Sequence, residues 1–221
     1  MNYSQIRSDA RAKLKNNWTP AVLSVFVYLI ITGTVESISM SDGLFGLVGS
    51  IGFLFLYGPL EYGLNFVFLK LSKKQKADVG DLFDGFNSNY SNKVSAGISV
   101  YFYTFLWTLL FIVPGIVASY SYSMTYFIMI DNPHFPASEA IKRSKEIMKG
   151  HKRELFVLDL TFIGWMILSI FTFGIGMFWV SAYMKQSHAE FYARLSGYNF
   201  VSGQTEAVEE SKVVNQIDVN P

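Results

Sequence analysis

The sequence predicts an all-α fold: a polytopic membrane helical bundle of about six transmembrane helices, paired as three hairpins, with short amphipathic cytoplasmic helices. Three observations carry this reading. Val94 to Ile130 runs for 37 residues without Lys, Arg, Asp, Glu or His. A bilayer's hydrocarbon core is about 30 Å thick and takes about 20 helical residues to cross, so this run is nearly two crossings long. Only 16% of the 221 residues are charged, against about 25% in soluble domains, and the deficit is concentrated in long apolar runs. The 18 Lys and Arg fall in four segments: four in 1–17, five in 70–93, six in 142–153 and three in 185–212. Cations mark cytoplasmic loops. If each long apolar run folds back on itself, all four segments lie on one side; if 94–130 crossed once, a strongly basic loop would lie outside.

Taken in order, residues 1–17 are an amphipathic segment. Tyr3, Ile6, Ala10 and Leu14 share one side at helical spacing, with Arg7, Arg11, Lys13 and Lys15 elsewhere. That pattern suits a helix lying on an anionic cytoplasmic leaflet, or an extension of the first span. The membrane domain is expected over 18–196, with spans near 18–38, 44–69, 96–113, 115–130, 154–172 and 175–194. No cleavage-site pattern follows the first apolar run, so that run is expected to remain as a spanning helix. Trp18 at its start fits the interfacial aromatic belt. Glu36 and Ser39 to Gly43 form a turn, with Glu36 and Asp42 exposed. In the second span Gly46, Gly49, Ser50 and Gly52 let another helix approach closely, and Gly58-Pro59 should kink or break it.

Lys70 to Lys93 is polar and reads as a surface-lying segment, with Leu82, Phe83 and Phe86 on one apolar face. Pro114-Gly115 is the expected reversal of the central hairpin, since proline lacks an N–H and glycine accepts a turn. Residues 138–149 should form an amphipathic helix: Ala140, Ile141, Ser144, Ile147 and Met148 inward, Lys142, Arg143, Lys145 and Lys149 outward, capped by Gly150. Glu154 to Tyr183, apolar apart from Glu154 itself and Asp159, is long for one crossing and short for two, and Phe173-Gly174-Ile175-Gly176 offers a turn. Residues 197–221 read as a disordered C-terminal tail.

Several function classes are disfavoured. A net charge of +1 gives no basic field for nucleic acid, and the chain has no cysteine. His134, His151 and His188 are scattered and read as surface or interface residues. No H-E-x-x-H, G-x-S-x-G or G-x-x-x-x-G-K pattern occurs. Catalytic, metal-ligating and cofactor-binding residues are therefore expected to be none. Charged and polar groups at membrane depth are the default functional candidates. Glu61 leads, with Tyr57 at i−4 and Asn65 at i+4 making a polar stripe beside Gly58-Pro59. A broken helix there would free carbonyls for a polar ligand, whereas a position near the inner interface would leave Glu61 simply paired with a base. Asp159 is read as an ion-pair or helix–helix partner. Tyr122 and Tyr126, with Ser119 and Ser123, form a second stripe, read as helix glue or the lining of a wet cleft.

Val113-Pro-Gly-Ile-Val-Ala-Ser-Tyr120, Ala140-Ile-Lys-Arg-Ser-Lys-Glu-Ile-Met-Lys-Gly150, Phe162-Ile-Gly-Trp165, Phe191-Tyr192 and Ala10-Arg-Ala-Lys-Leu-Lys-Asn-Asn-Trp18 together resemble the DUF975 family of bacterial integral membrane proteins, over about residues 5–196. The family also resembles, distantly, the membrane domain of some glycerophosphodiester phosphodiesterases; no soluble phosphodiesterase domain is expected within these residues, so that activity does not carry over. The resemblance implies six membrane helices in a Gram-positive-type cytoplasmic membrane and brings no catalytic residues. Both termini are expected to be cytoplasmic. Partners are expected to be the lipid bilayer, anionic lipid at the cytoplasmic face and an unidentified protein, and no nucleic acid. Three functional readings follow: a non-catalytic protein that handles or transports a small molecule or lipid; a scaffold acting through its cytoplasmic amphipathic helices; and, last, an intramembrane lipid-modifying enzyme.

Overall fold

A computed structural model describes residues 2–87 and 89–197, which are helical and contain no strand. Helix α1 spans Tyr3–Leu14, α2 Trp18–Ser39 and α3 Leu44–Ser72. A 3₁₀ helix, Val79–Phe86, precedes α4 (Tyr90–Leu110), α5 (Ile112–Tyr122) and α6 (Thr125–Asp131). Helix α7 (Ala137–Ile147) leads to α8 (Lys152–Leu160), α9 (Ile163–Ile170) and α10 (Gly176–Leu195). The pairs α2–α3, α4–α5 and α9–α10 pack as hairpins, as the apolar runs predict. Among the described residues two helices, α2 and α3, are each long and apolar enough to cross a membrane. The tail expected over 197–221 lies, beyond Gly197, outside the described residues.

The expected reversal at Pro114-Gly115 sits elsewhere. The chain turns at Phe111, whose backbone is extended, and Pro114 occupies the first turn of α5. There its missing N–H has no intrahelical partner to lose. The reversal at 173–176 is found where expected, with Phe173 and Gly174 at φ +53° and +82°. Helix α2 continues past Glu36, which is exposed on its last turns.

Gly58-Pro59 does not break α3, which continues to Ser72. Pro59 has no N–H to give the Phe55 carbonyl, and the Tyr90 hydroxyl donates to that oxygen instead at 3.2 Å. Gly58 also meets Gly97 of α4 so closely that a Cβ on either would overlap the other helix's backbone. Gly46 and Gly49 play the same part against Ser41, Ser39 and Ile38, while Gly52 faces open space.

The arm expected as a single span over 115–130 is two helices. The break after Tyr122 is held by α7: the buried Ser144 hydroxyl donates to the Ser121 carbonyl at 2.8 Å and accepts from the Met124 N–H at 3.2 Å. Ser144→Ala is expected to leave both buried groups without this partner and to cost about 2 kcal/mol, read as a lower thermal midpoint in detergent. The arm over 154–172 is likewise divided, at Thr161-Phe162, where the Thr161 hydroxyl bonds back to the Leu158 carbonyl at 2.6 Å and Phe162 is wholly buried.

Helix α1 is separate from α2. Its apolar side, Ile6, Ala10 and Leu14, is fully buried in protein, not laid on lipid. It docks on α10 and α3 because polar groups fix its register. Asp9 pairs with Arg194 at 2.5 Å, the Tyr183 hydroxyl donates to the Arg7 carbonyl at 2.9 Å, and Lys13 Nζ donates to the Ser72 carbonyl at 2.7 Å. Burial lowers the Lys13 pKa. The 3₁₀ helix buries Leu82 and half-buries Phe86, but Phe83 points outward, so those three do not share one buried face. Helix α7 ends at Ile147, short of the expected 149; as expected, Ala140, Ile141, Ser144 and Met148 are buried and Lys142, Arg143, Lys145 and Lys149 exposed, while Ile147 is half-buried.

Buried side chains concentrate at the basic end of the hairpins. Leu60, Leu64, Val67, Phe68 and Leu71 of α3 meet Phe127 of α6 and Phe191 of α10, with Phe127 stacked on Tyr192 at 5.2 Å. At the far end the hairpins expose apolar side chains: Met40 is 77% accessible, Ile112 72% and Phe173 99%. Exposed apolar area of this extent marks contact with lipid or protein rather than water.

Candidate functional site

Helical spacing alone places pairs and triplets of polar side chains on one face of each helix. On α3 these are Tyr57, Glu61 and Asn65. On α4 they are Tyr101 and Thr104. Helices α5 and α6, with the break between them, give Ser119, Tyr122, Ser123 and Tyr126, and α10 gives Lys185 and His188. All line one cavity of about 300 Å³. The contact of Gly58 with Gly97 sets the distance between α3 and α4 beside it, since neither residue has a Cβ to hold the backbones apart.

Glu61 accepts from Lys185 Nζ at 2.8 and 3.1 Å through its two carboxylate oxygens. Asn65 donates back to the Glu61 carbonyl at 2.6 Å, which ties its amide to its own helix. Tyr126 is buried and its hydroxyl has no hydrogen-bond partner among the described residues. That hydroxyl would lie 3.5 Å from a Cβ built on Gly97. A buried hydroxyl left unpaired is costly, so a polar group entering the cavity is stabilised there.

Of the residues singled out from the sequence, Glu61, Asn65, Tyr57, Tyr122 and Tyr126 line the cavity. Asp159 does not line it but acts one step behind: its carboxylate accepts from His188 Nε2 at 2.6 Å and from the Tyr120 hydroxyl at 2.8 Å. A carboxylate only accepts, so Nε2 carries the proton and the imidazole is held in one orientation. Sequence reasoning missed Lys185, His188 and Tyr120. Lys185 and His188 lie three residues apart and so share a face, but the apolar run ends just before them and they read as interfacial.

The chemistry available is an ion pair, a histidine oriented by a carboxylate, and several hydroxyls. These can bind a polar solute and move a proton. Ser119 and Ser123 donate to the Ile116 and Tyr120 carbonyls, so neither is bonded to His188 as an activated nucleophile would be.

A second buried cluster lies nearer the basic end, where Gln186 donates to Ser72 at 2.8 Å and Ser72 to Glu190 at 2.7 Å. Beside it Lys73 pairs with Asp131 at 2.5 Å, and Tyr192 donates to the same carboxylate at 2.8 Å. These bonds hold α10 against α3 and α6, while the Gln186 side-chain oxygen has no hydrogen-bond partner among the described residues.

The chain matches the family described as "Protein of unknown function (DUF975)" over residues 1–119 and 111–199. It is a DUF975 protein. No curated protein and no solved structure matches it. The two matched stretches take in every element from α1 to α10, so the helices lining the cavity of this DUF975 chain all lie within the family's bounds.

Proposed function

We propose that this DUF975 protein is an integral protein of a bacterial cytoplasmic membrane that binds, and hands across or along the bilayer, a small polar or amphiphilic molecule. Its three hairpins enter the membrane from one face, where both termini and the basic segments remain. Six hydrophobic arms result, two of them the divided pairs α5–α6 and α8–α9. Support comes from α2 and α3, each long and apolar enough to cross. The exposed apolar hairpin ends and the cations gathered at the opposite end point the same way.

The observation that carries the functional reading is the convergence of five helices on one polar cavity whose wall includes the Glu61–Lys185 pair. A purely structural ion pair would be sealed by packing. This one borders open volume, next to the unpaired Tyr126 hydroxyl. A solute carrying both charges, or several hydrogen-bonding groups, can exchange partners with the pair without leaving a charge unmatched. The scaffold reading rests on the exposed basic side chains of α7, Lys142, Arg143 and Lys145, with Lys149 just past its end.

A deletion strain, profiled for lipids and small metabolites, distinguishes these readings. Wild-type protein is expected to restore the profile, whereas Glu61→Gln and Tyr126→Phe should fail to do so at normal membrane levels. Full restoration by both variants, together with failure of a variant in which Lys142, Arg143, Lys145 and Lys149 are replaced by Gln, would refute the cavity reading and favour the scaffold.

A further inference from the structure

Helix α1 and the α9–α10 hairpin enclose a second, larger groove of about 660 Å³, which shares no lining residue with the Glu61 cavity and is mostly apolar. Its floor is Trp18, Trp165, Trp179 and Val180, so three of the chain's four tryptophans meet in one place. Arg11 and Lys15, four residues apart, stand at its rim. The Arg11 guanidinium lies over the Tyr183 ring, 5.7 Å from its centroid. Both cations are exposed, and among the described residues neither is in an ion pair. Of the other cations around α1, Lys13 donates to the Ser72 carbonyl and Arg194 pairs with Asp9, and Arg7 does not line the groove.

We infer that this groove binds one anionic glycerophospholipid, its phosphate held by Arg11 and Lys15 and an acyl chain laid on Trp165 and Trp179. The inference rests on the membrane reading above. Three features specify the occupant. Tryptophans collect at the depth where acyl chains meet headgroups, so the groove sits at that depth. Two unpaired cations at its rim supply charge complementarity for an anionic headgroup. The volume falls within the range of about 300–1,000 Å³ typical of small-molecule sites. The arrangement also gives α1 a purpose that its buried face leaves over: its inner side docks on protein, and its basic side closes over lipid.

The test is native mass spectrometry of the full chain, released from neutral detergent after equilibration with equal amounts of phosphatidylglycerol and phosphatidylcholine. One retained phosphatidylglycerol is expected, preferred over phosphatidylcholine by at least about tenfold, as two cations near an anionic headgroup imply. Arg11→Gln with Lys15→Gln should abolish the preference. Trp165→Ala with Trp179→Ala should lower retention of both lipids. Lys152→Gln with Arg153→Gln, elsewhere among the basic segments, should change neither. A preference that survives loss of Arg11 and Lys15, or that falls equally in the control pair, would overturn the site while leaving the membrane reading intact. A chain that stays monodisperse without detergent and carries no lipid would overturn both. Binding of phosphatidylglycerol that appears only after deletion of residues 198–221 would assign the groove to that segment and overturn the lipid site.

Discussion

Lys185→Met is expected to be among the most damaging single substitutions in this protein. The side chain of Glu61 is 14% exposed, and both of its carboxylate oxygens are held by Lys185. Removing the ammonium leaves a largely buried carboxylate with no counter-charge, at a cost of about 3 kcal/mol. For a chain of this length that corresponds to a drop of roughly 6–12 °C in thermal midpoint. The double variant Glu61→Leu with Lys185→Met should recover most of the loss, because two matched apolar groups replace the pair and nothing charged is stranded. Thermal unfolding of the four proteins in one detergent gives the coupling energy. Equal loss in the double and single variants would mean that Lys185 acts through packing and not through Glu61.

The second large effect concerns the 3₁₀ helix. Gly63 of α3 and Gly85 of the 3₁₀ helix each lie against a carbonyl of the other element: a Cβ on Gly63 would overlap the Leu82 oxygen, and one on Gly85 the Pro59 oxygen. The obstacle in both cases is backbone, so no rotamer relieves it. Gly63→Ala is expected to lift the segment from α3, expose Leu82 and cost about 3 kcal/mol, at the upper end of overpacking. Gly52, also on α3, has no atom within 4 Å of its position for a Cβ. Gly52→Ala should therefore be neutral or raise stability by about 0.5–1 kcal/mol, as expected when an unconstrained helical glycine is replaced. Similar effects at 52 and 63 would show that α3 responds to helix propensity alone.

Much of this was legible in the sequence because it depends on spacing within one element. Tyr57, Glu61 and Asn65 are four residues apart on the unbroken α3, and that interval fixes a shared helical face. Tyr122 and Tyr126 have the same spacing but lie on α5 and α6, and both still line the cavity across the break. The chain reversals near residues 40–43 and 171–175 follow from glycine and from the absence of Lys and Arg between long apolar runs. What stayed hidden depends on partners distant in sequence. The divided arm at Ser123 is stable because Ser144, from α7, supplies the missing partners. Pro59 is carried through α3 because Tyr90 takes the carbonyl it leaves open. Lys185 and His188 looked interfacial because α10 carries Lys185, Gln186, His188 and Glu190 in close succession, on several faces at once. Their acidic partners come from α3 and α8. The amphipathic α1 showed that it has an apolar side, but a bilayer and a protein core make the same demand of that side.

The central claim is that every hairpin enters from one face, with the basic segments left behind together. The chain has no cysteine, so any introduced thiol is the sole target for a membrane-impermeant maleimide. Lys74→Cys and Lys145→Cys replace exposed residues on either side of the central hairpin, and Asp42→Cys marks the turn of the first. In intact cells Asp42→Cys should label while Lys74→Cys and Lys145→Cys should not, and in inverted vesicles the pattern should reverse. Labelling of positions 74 and 145 from opposite faces would contradict the account.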